Sequence, residues 1–303
     1  MPRTVLTGLK KYPVSLSVIC AMLDTGGSTG RLKHDYKITS PGDIKWALLA
    51  LANTSPAMKD LFSFRFENGQ LKGHNFANLL ITALELTTNN YSKAIKEMKK
   101  MLNVSHQVFP ATLDRSNIFA ILENGKIISG ETNIDRPKHN GKLKIKKVFL
   151  RPQAKAYRPA LKAIKQADMI VIGPGDLYSS IAQILLTKGI PRAILKSRAK
   201  TIYIANLMTK YGETNNFSVK DFADEIEKYL GGSLDHVIYN NLVPSIKEIK
   251  TYLKVHPELL SLVKADKNLP SKKFIGANLL LKKELIEHDP AKLSKVIIKL
   301  LKD

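Results

Sequence analysis

Short apolar runs alternate along the chain with stretches in which apolar residues recur three or four positions apart. The apolar runs predict strands at residues 14–23, 143–150, 168–172, 201–205 and 236–239. The helical spacing predicts helices at residues 4–12, 40–52, 75–86, 91–102, 159–166, 177–186 and 219–230, and a last amphipathic helix from Pro290. Strands and helices that alternate with short connections are typical of an α/β protein with a mainly parallel sheet covered on both faces.

One region departs from this alternation. Residues 118–122 and 126–128 are joined by Glu123-Asn124-Gly125, and Asn-Gly is a strong signal for a hairpin turn. We therefore expect a β-hairpin insertion or β-rich subdomain at residues 108–150. The sequence shows no confident domain boundary, so residues 1–303 are interpreted as one domain.

Polar, glycine-containing loops follow three of the predicted strands. They are D-T-G-G-S-T-G-R at residues 24–31, G-P-G-D-L-Y-S-S at 173–180 and N-L-M-T-K-Y-G-E-T at 206–214. Glycines let backbone N–H groups approach an anion, and the carboxyl ends of parallel strands are where such sheets bind ligands. The loops therefore indicate a ligand that carries phosphate. Each loop also has a plainer interpretation, as a strand–helix turn capped by Asp176 or as an Asx turn at Asn206.

The formal net charge is +22, which raises the hypothesis of nucleic-acid binding. Only nine of the 48 basic residues are arginine, and the lysines are spread along the chain. The sequence contains neither zinc-finger spacing nor an aromatic RNA-binding signature. We therefore favour anionic metabolites as partners and keep a basic nucleic-acid-binding protein as an alternative.

Other features limit the location and the chemistry. The single cysteine, Cys20, lies in an apolar run and can form no internal disulfide, and no apolar run reaches the roughly 20 residues of a membrane span. The N-terminus lacks the pattern of a secretory signal, so we expect a cytoplasmic protein without membrane insertion. The motifs G-x-G-x-x-G, G-x-x-x-x-G-K-[ST] and G-x-S-x-G are absent from the sequence.

Taken in order, the loops resemble one superfamily. The segments D-T-G-G-S-T-G-R-L-K, S-P-G-D-I-K, G-H-N-F-A-N-L-L, P-A-T-L-D, G-P-G-D-L-Y-S-S and N-L-M-T-K-Y-G-E-T follow one another as in the 2-phospho-L-lactate transferase (CofD)-like superfamily. The chain most resembles its gluconeogenesis-factor (YvcK-like) branch, over about residues 4–224. This resemblance implies a Rossmann-like three-layer α/β/α fold and a cytoplasmic regulator that binds a nucleotide such as a UDP-sugar. It also implies a link to carbon metabolism and to cell shape or wall synthesis, with no cofactor required.

The loops and the resemblance together predict a set of ligand-binding residues. They are Asp24, Gly26, Gly27, Ser28, Arg31, Asp43, His74, Asn78, Thr112, Gly173, Gly175, Tyr178, Ser179, Asn206, Thr209 and Glu213. No catalytic residue is assigned in this interpretation. The protein partner is unidentified, and a homodimer is left open.

The alternative is an enzyme, a Mg²⁺-dependent 2-phospho-L-lactate-type or nucleotidyl transferase with Asp24 as metal ligand and catalytic residue. Three departures bear on it. The family often has two adjacent aspartates where this chain has Asp24-Thr25, and Ala77 replaces a common glycine. The resemblance also implies an initial strand and a G-G-G-T-G loop. Residues 1–10 look like the helix that follows this loop, so we expect the strand and loop to be missing through truncation or loss.

Overall fold

A computed structural model describes residues 3–281 and 286–303. Its helices are α1 (Arg3–Leu9), α2 (Gly27–Tyr36), α3 (Gly42–Leu51), α4 (Pro56–Ser63), α5 (Phe76–Thr88), α6 (Tyr91–Met101), α7 (Glu131–Asp135), α8 (Arg158–Gln166), α9 (Ala182–Leu185), α10 (Ile190–Leu195), α11 (Val219–Leu230), α12 (Ile246–Val255) and α13 (Pro290–Lys302). Its strands are β1 (Ser17–Cys20), β2 (Gln107–Pro110), β3 (Asn117–Leu122), β4 (Ile127–Ser129), β5 (Ile145–Arg151), β6 (Met169–Ile172), β7 (Lys200–Ile204), β8 (Met208–Lys210), β9 (His236–Asn240), β10 (Leu259–Leu262) and β11 (Phe274–Ala277).

Six strands form the parallel part of the fold. A four-stranded sheet has the order β11-β9-β7-β6, and β1 pairs with β2 in a second parallel sheet. Helix α13 packs with β7 and β9 in one hydrophobic cluster, and α8 and α11 share another cluster with residues of the same sheet. The predicted α/β fold with mainly parallel, helix-covered strands is confirmed, and the arrangement is of the Rossmann-like type.

The predicted hairpin is also present. β3 pairs with both β4 and β5 in an antiparallel sheet of order β4-β3-β5. β2 lies at the start of the expected insertion but pairs with β1, so the antiparallel segment itself begins with β3. The short ribbon of β8 and β10 was not predicted, since strands of three and four residues carry little periodic signal.

The start of the chain differs from the prediction in three places. The strand expected at 14–23 is only β1, because Leu23 turns its N–H to Gln183 Oε1 at 3.2 Å instead of to a neighbouring strand. The expected loop 24–31 becomes helical at Gly27, where α2 begins. The helix expected from residue 40 begins at Gly42 with Pro41 at its N-cap, and the buried Ser40 Oγ has no partner among the described residues.

The helix expected at 177–186 begins differently. Residues Leu177–Ile181 form a π-helical turn that leads into α9. Asp176 stands at its N-cap without a side-chain capping bond, contrary to the cap proposed from the sequence. π-Helical turns are frequently found at functional sites.

The largest hydrophobic cluster joins the antiparallel sheet to the parallel part. Its buried members include Ile118 and Val148 from the antiparallel sheet, Tyr203 from β7 and Phe222 from α11. A second cluster lies between β1, β2 and helices α3, α5 and α6. Among the helices described, none is long and apolar enough to cross a membrane.

Candidate functional site

Asp24 lies between the ends of two helices. Its Oδ1 accepts a hydrogen bond from the backbone N–H of Gly26 at 3.1 Å, which fixes the turn into α2. Its Oδ2 packs against Gly42, the first residue of α3, where a Cβ would overlap the carboxylate. Glycine at position 42 therefore permits this close approach, and a carboxylate is held next to the positive end of α3.

Asp43 and Lys45 are charged residues on α3 near Asp24. Burial, followed by the charges of Asp24 and Asp176, raises the pKa of Asp43 to about 6. Burial and the charge of Arg65 lower the pKa of Lys45 to about 8, against the attraction of Asp24 and Asp43. Asp24 and Asp176 thus both lie close enough to influence Asp43, although Asp176 follows β6 and the other two follow β1.

The first turn of α2 packs against the start of α5. Ser28 Oγ lies 3.2 Å from His74 Nδ1 and accepts the N–H of Asn75 at 3.3 Å. Asn78 Nδ2 donates to Thr29 Oγ1 at 3.3 Å, while the buried Asn78 Oδ1 has no partner within the described part of the chain. The structure therefore brings the predicted residues Ser28, His74 and Asn78 together.

Two arginine side chains lie beside the contact between α2 and α5. Arg31 Nη2 donates to the carbonyl of Lys72 at 2.9 Å, and Arg65 Nη1 donates to the carbonyl of Gly73 at 2.6 Å. Burial, then the charge of Arg31 and that of Arg65, lowers the pKa of His74. Histidine at this position is therefore held towards its neutral form by two neighbouring guanidinium groups.

On the other side of Asp24, α7 brings in acidic groups from the antiparallel segment. Glu131 Oε2 accepts the N–H of Thr25 at 3.4 Å, and Thr132 Oγ1 lies 3.0 Å from Thr25 Oγ1. Burial, then the charges of Asp24 and Asp135, raises the pKa of Glu131. Hydrogen bonds of Thr25 therefore connect α7 to the loop before α2.

The G-P-G loop after β6 is held by Asn206, which follows β7. Asn206 Nδ2 donates to the carbonyl of Gly175 at 2.9 Å, and Asn206 Oδ1 accepts the Gly175 N–H at 3.4 Å. Gly173 adopts a φ of +76° and lies against the carbonyl of Ile204. The three predicted residues are brought together, with Asn206 fixing the loop in shape.

Glu213 occupies the helix start that the sequence offered to a phosphate. Its Oε2 accepts the backbone N–H groups of Tyr178 at 3.0 Å and Ser179 at 3.1 Å, and its Oε1 accepts the Ser179 hydroxyl at 2.8 Å. Tyr178 is buried, and its hydroxyl donates to Glu225 at 3.1 Å. The expected phosphate position at Tyr178 and Ser179 is therefore filled by a carboxylate of the chain itself.

Lys210 neutralises an acidic cluster next to Glu213. Oxygens of Asp135, Asp176 and Glu213 all lie within 4.8 Å of one another, a spacing that could suit a metal ion. The Lys210 ammonium pairs with Asp135, with Asp176 at 3.0 Å and with Glu213 at 3.5 Å. Although burial lowers it, the pKa of Lys210 is raised overall by these carboxylates. The residues present thus hold a lysine cation and do not fit a metal ion there.

Two predicted residues lie away from these groups. Thr112 is buried, donates to the carbonyl of Lys155 at 2.6 Å and accepts the N–H of Asp114 at 3.0 Å. Thr209 is buried in the ribbon of β8 and β10, with its hydroxyl 3.0 Å from that of Ser261. Their hydroxyls are used in local turns and strand contacts.

Sequence reasoning missed several charged residues that the fold brings to the site. They are Lys45, Arg65, Glu131, Asp135 and Lys210, and Asp176 was considered only as a cap. Lys45, Arg65, Glu131 and Asp135 stand outside the glycine-containing loops, whereas Lys210 lies within the third loop but was assigned no role. Lys45 could have been recognised from the sequence, because a lysine on the apolar face of a helix such as α3 needs a buried partner for its charge.

The chain is similar in sequence to several known proteins. The profile described as "2-phospho-L-lactate transferase CofD" matches residues 3–280. The gluconeogenesis factor of Bacillus subtilis is 35% identical, covering 98% of this chain and 94% of that protein. That of Halalkalibacterium halodurans is 42% identical over 77% of this chain and 72% of the relative.

Further comparisons agree with these. A putative gluconeogenesis factor of Clostridium acetobutylicum is 37% identical over 99% of this chain and 67% of that protein. A crystal structure of a Bacillus halodurans protein, described as a member of the UPF0052 family, superposes with a TM-score of 0.90 at 36% identity, over 98% of this chain and 95% of that one. The chain therefore belongs to the 2-phospho-L-lactate transferase CofD family, in its gluconeogenesis-factor branch.

Proposed function

We propose that this protein is a cytoplasmic regulator that binds a nucleotide-sugar of the UDP-sugar type at the start of α2. The observation that carries the proposal is that carboxylates and guanidinium groups both adjoin this helix end. Asp24 accepts the N–H of Gly26 at the N-cap, and Glu131 accepts that of Thr25. Arg31 and Arg65 bond the turn before His74, which contacts Ser28 in the first turn of the helix. Carboxylates accept hydrogen bonds from sugar hydroxyls and guanidinium groups donate to phosphate, so a ligand with both parts suits the site.

The helix end itself supports an anionic ligand part. Gly26 at the N-cap of α2 supplies no side-chain capping bond, and Gly27 is exposed with open space where a side chain would stand. The first N–H groups of α2 are therefore available to a phosphate, which the positive end of a helix favours. The second expected phosphate position is filled by Glu213, so the proposal places phosphate at α2 alone.

Titration of the purified protein with UDP-N-acetylglucosamine tests this function. We expect calorimetric heat and a higher melting temperature, both reduced in Asp24→Asn and unchanged in Asp60→Asn. Asp60 is an exposed carboxylate on α4 and serves as the matched control. Absence of heat and of any thermal shift at millimolar ligand would contradict the proposal.

One observation favours a second candidate, a Mg²⁺-dependent 2-phospho-L-lactate-type transferase. Asp43 lies near Asp24 and supplies a second carboxylate where the sequence has Thr25 in place of an aspartate. Two carboxylates beside a phosphate group would suit Mg²⁺, which neutralises charge during group transfer. Mg²⁺-dependent turnover of a nucleotide-linked phospholactate, lost in Asp24→Asn, would favour this candidate over a regulator.

A further inference from the structure

We propose that Arg31 and Arg65 form a clamp that binds the diphosphate of the ligand over Gly73. The inference rests on the proposed nucleotide-sugar function and assigns its anionic part to two named side chains. Arg65 lies outside every motif that the sequence analysis selected. The clamp therefore adds a specificity-determining residue on a different segment of the chain.

Arg65 is carried by a hairpin of residues 64–76. Phe66 N–H donates to the carbonyl of His74 at 2.9 Å, and Gly73 N–H donates to the carbonyl of Phe66 at 2.7 Å. Arg65 pairs with Asn75 in this hairpin, and its side chain reaches Gly73, where its Nη1 donates to the Gly73 carbonyl. Arg31 reaches the same turn from α2 and donates to the carbonyl of Lys72.

Gly73 makes the approach of Arg31 possible. Its φ is +78°, and a Cβ at this position would lie 2.9 Å from Arg31 Nη2. A larger residue would be strained in this conformation and would displace the Arg31 side chain. The turn is thus shaped so that two guanidinium groups from separate elements end at one residue.

Both positive charges are left without an acidic partner. Throughout residues 3–281 and 286–303, neither guanidinium forms an ion pair with a carboxylate. Each uses one of its five N–H donors on a backbone carbonyl and keeps others for a ligand. Two like charges held at one turn repel, and a multiply charged anion between them offsets that repulsion.

The neighbouring groups define which anion fits. His74 bonds Ser28 in the first turn of α2, so the clamp adjoins the uncapped helix end. Asp24 Oδ1 accepts the N–H of Gly26 at the N-cap of α2, so a carboxylate lies at the same helix end. A diphosphate at the clamp would therefore leave its sugar hydroxyls towards the carboxylates.

Isothermal titration with four probes tests the clamp: UDP-N-acetylglucosamine, UDP, uridine and inorganic pyrophosphate. Loss of a charge-assisted hydrogen bond predicts that Arg65→Gln and Arg31→Gln each weaken the three phosphorylated probes by about tenfold to a hundredfold. Uridine binding should not change. Arg115→Gln is the matched control, since Arg115 is exposed and likewise donates to a backbone carbonyl, that of Lys37, at 2.7 Å.

The outcomes separate the clamp from the proposed function. Unchanged affinity of Arg65→Gln and Arg31→Gln for UDP-N-acetylglucosamine overturns the clamp and leaves nucleotide-sugar binding intact. Pyrophosphate binding that depends on both arginines, without binding of the UDP-sugar, supports the clamp and overturns the proposed function. If the wild-type protein binds none of the probes, both are overturned. Circular dichroism of each variant establishes that it is folded.

Discussion

The carboxylate of Glu213 accepts the backbone N–H of Ser179 at 3.1 Å, at a helix start where the sequence suggested a bound phosphate. The side chain of Glu213 is 1% exposed, so this interaction belongs to the interior. A glycine-containing strand–helix loop can thus be completed by a distant residue of the same chain. In the loop after β1, carboxylates accept the N–H groups of Thr25 and Gly26 only. Among the described residues no side chain accepts the N–H groups of the first turn of α2, which is why we place the ligand there.

Glu213→Ala should destabilise the protein by about 2–4 kcal/mol. The substitution leaves two buried N–H groups without an acceptor and removes one of the partners of Lys210. Urea denaturation measures the change, with Glu258→Ala as an exposed carboxylate control that should change stability by less than about 0.5 kcal/mol. Equal stability of Glu213→Ala and wild type would contradict the structural role.

The free energy of unfolding should fall as pH rises from about 4 to about 6, because Asp43 loses its proton in this range. Its pKa is raised from 3.8 to about 6 in the folded protein, so the folded state binds more protons than the unfolded state in this window. The stabilisation from proton binding to Asp43 is therefore fully present below its pKa in the unfolded chain. It is lost as pH rises through its pKa in the folded protein. Since the side chain is half-buried, we expect about 1–2 kcal/mol.

Asp43→Asn tests this linkage. The variant should be more stable than wild type at pH 7.5, and the difference should disappear near pH 4. Denaturation curves across this range measure it, with Asp60→Asn as the exposed control. A difference that is the same at every pH would show that Asp43 does not titrate in this way.

Gly42→Ala should displace the Asp24 carboxylate. A Cβ at position 42 would overlap Asp24 Oδ2, and such overpacking costs about 1–3 kcal/mol. The matched experiment is a double-mutant cycle with Asp24→Ala, which removes the obstructed group. The Gly42→Ala penalty should largely vanish in the Asp24→Ala background, and a fully additive pair would contradict the contact.

Asn206 should be needed to hold the G-P-G loop. Asn206→Ala removes both hydrogen bonds to Gly175 and should cost about 1–3 kcal/mol. Asn206→Asp keeps the acceptor for the Gly175 N–H but places a carboxylate oxygen against the Gly175 carbonyl. We expect the aspartate variant to be no more stable than the alanine variant, as measured by thermal denaturation at neutral pH.

Lys210→Met should create a divalent-cation site. The substitution leaves the oxygens of Asp135, Asp176 and Glu213 within 4.8 Å of one another without their cation. Millimolar Ca²⁺ should then raise the melting temperature of the variant relative to EDTA, because binding to the folded state alone stabilises it. Lys220→Met, which removes an exposed lysine of another ion pair, should show no such gain.

The sequence predicted the parts of the fold that depend on local pattern. Apolar runs identified β1, β6, β7 and β9 among the parallel strands, and Asn124-Gly125 identified the hairpin. The four-residue parallel strands β2 and β11 were missed. The ends of elements were less certain, because the last residues of the first apolar run stay buried after the chain has left the sheet. Leu23 is buried by packing and by its bond to Gln183, and no periodicity distinguishes this from a strand.

The site was predicted where its residues are neighbours in sequence. Asp24, Gly26 and Ser28 were found because they share one loop. Arg65 was missed because a single exposed arginine between Phe64 and Phe66 matches no functional motif, and its position depends on how the hairpin pairs. Glu213 was selected as a ligand residue, although its bond to Ser179 spans 34 residues and only the folded chain shows it.

The strands β3, β4 and β5 pair only with one another among the described strands, yet α7, which follows β4, brings Glu131 and Asp135 to the site. This segment shares the largest hydrophobic cluster with the parallel part, and it also sets the acidity beside the start of α2. Replacing residues of this segment, such as Glu131 and Asp135, would change how many protons the site binds. The parallel sheets would stay the same. A single framework could in this way support both a binding regulator and a transferase.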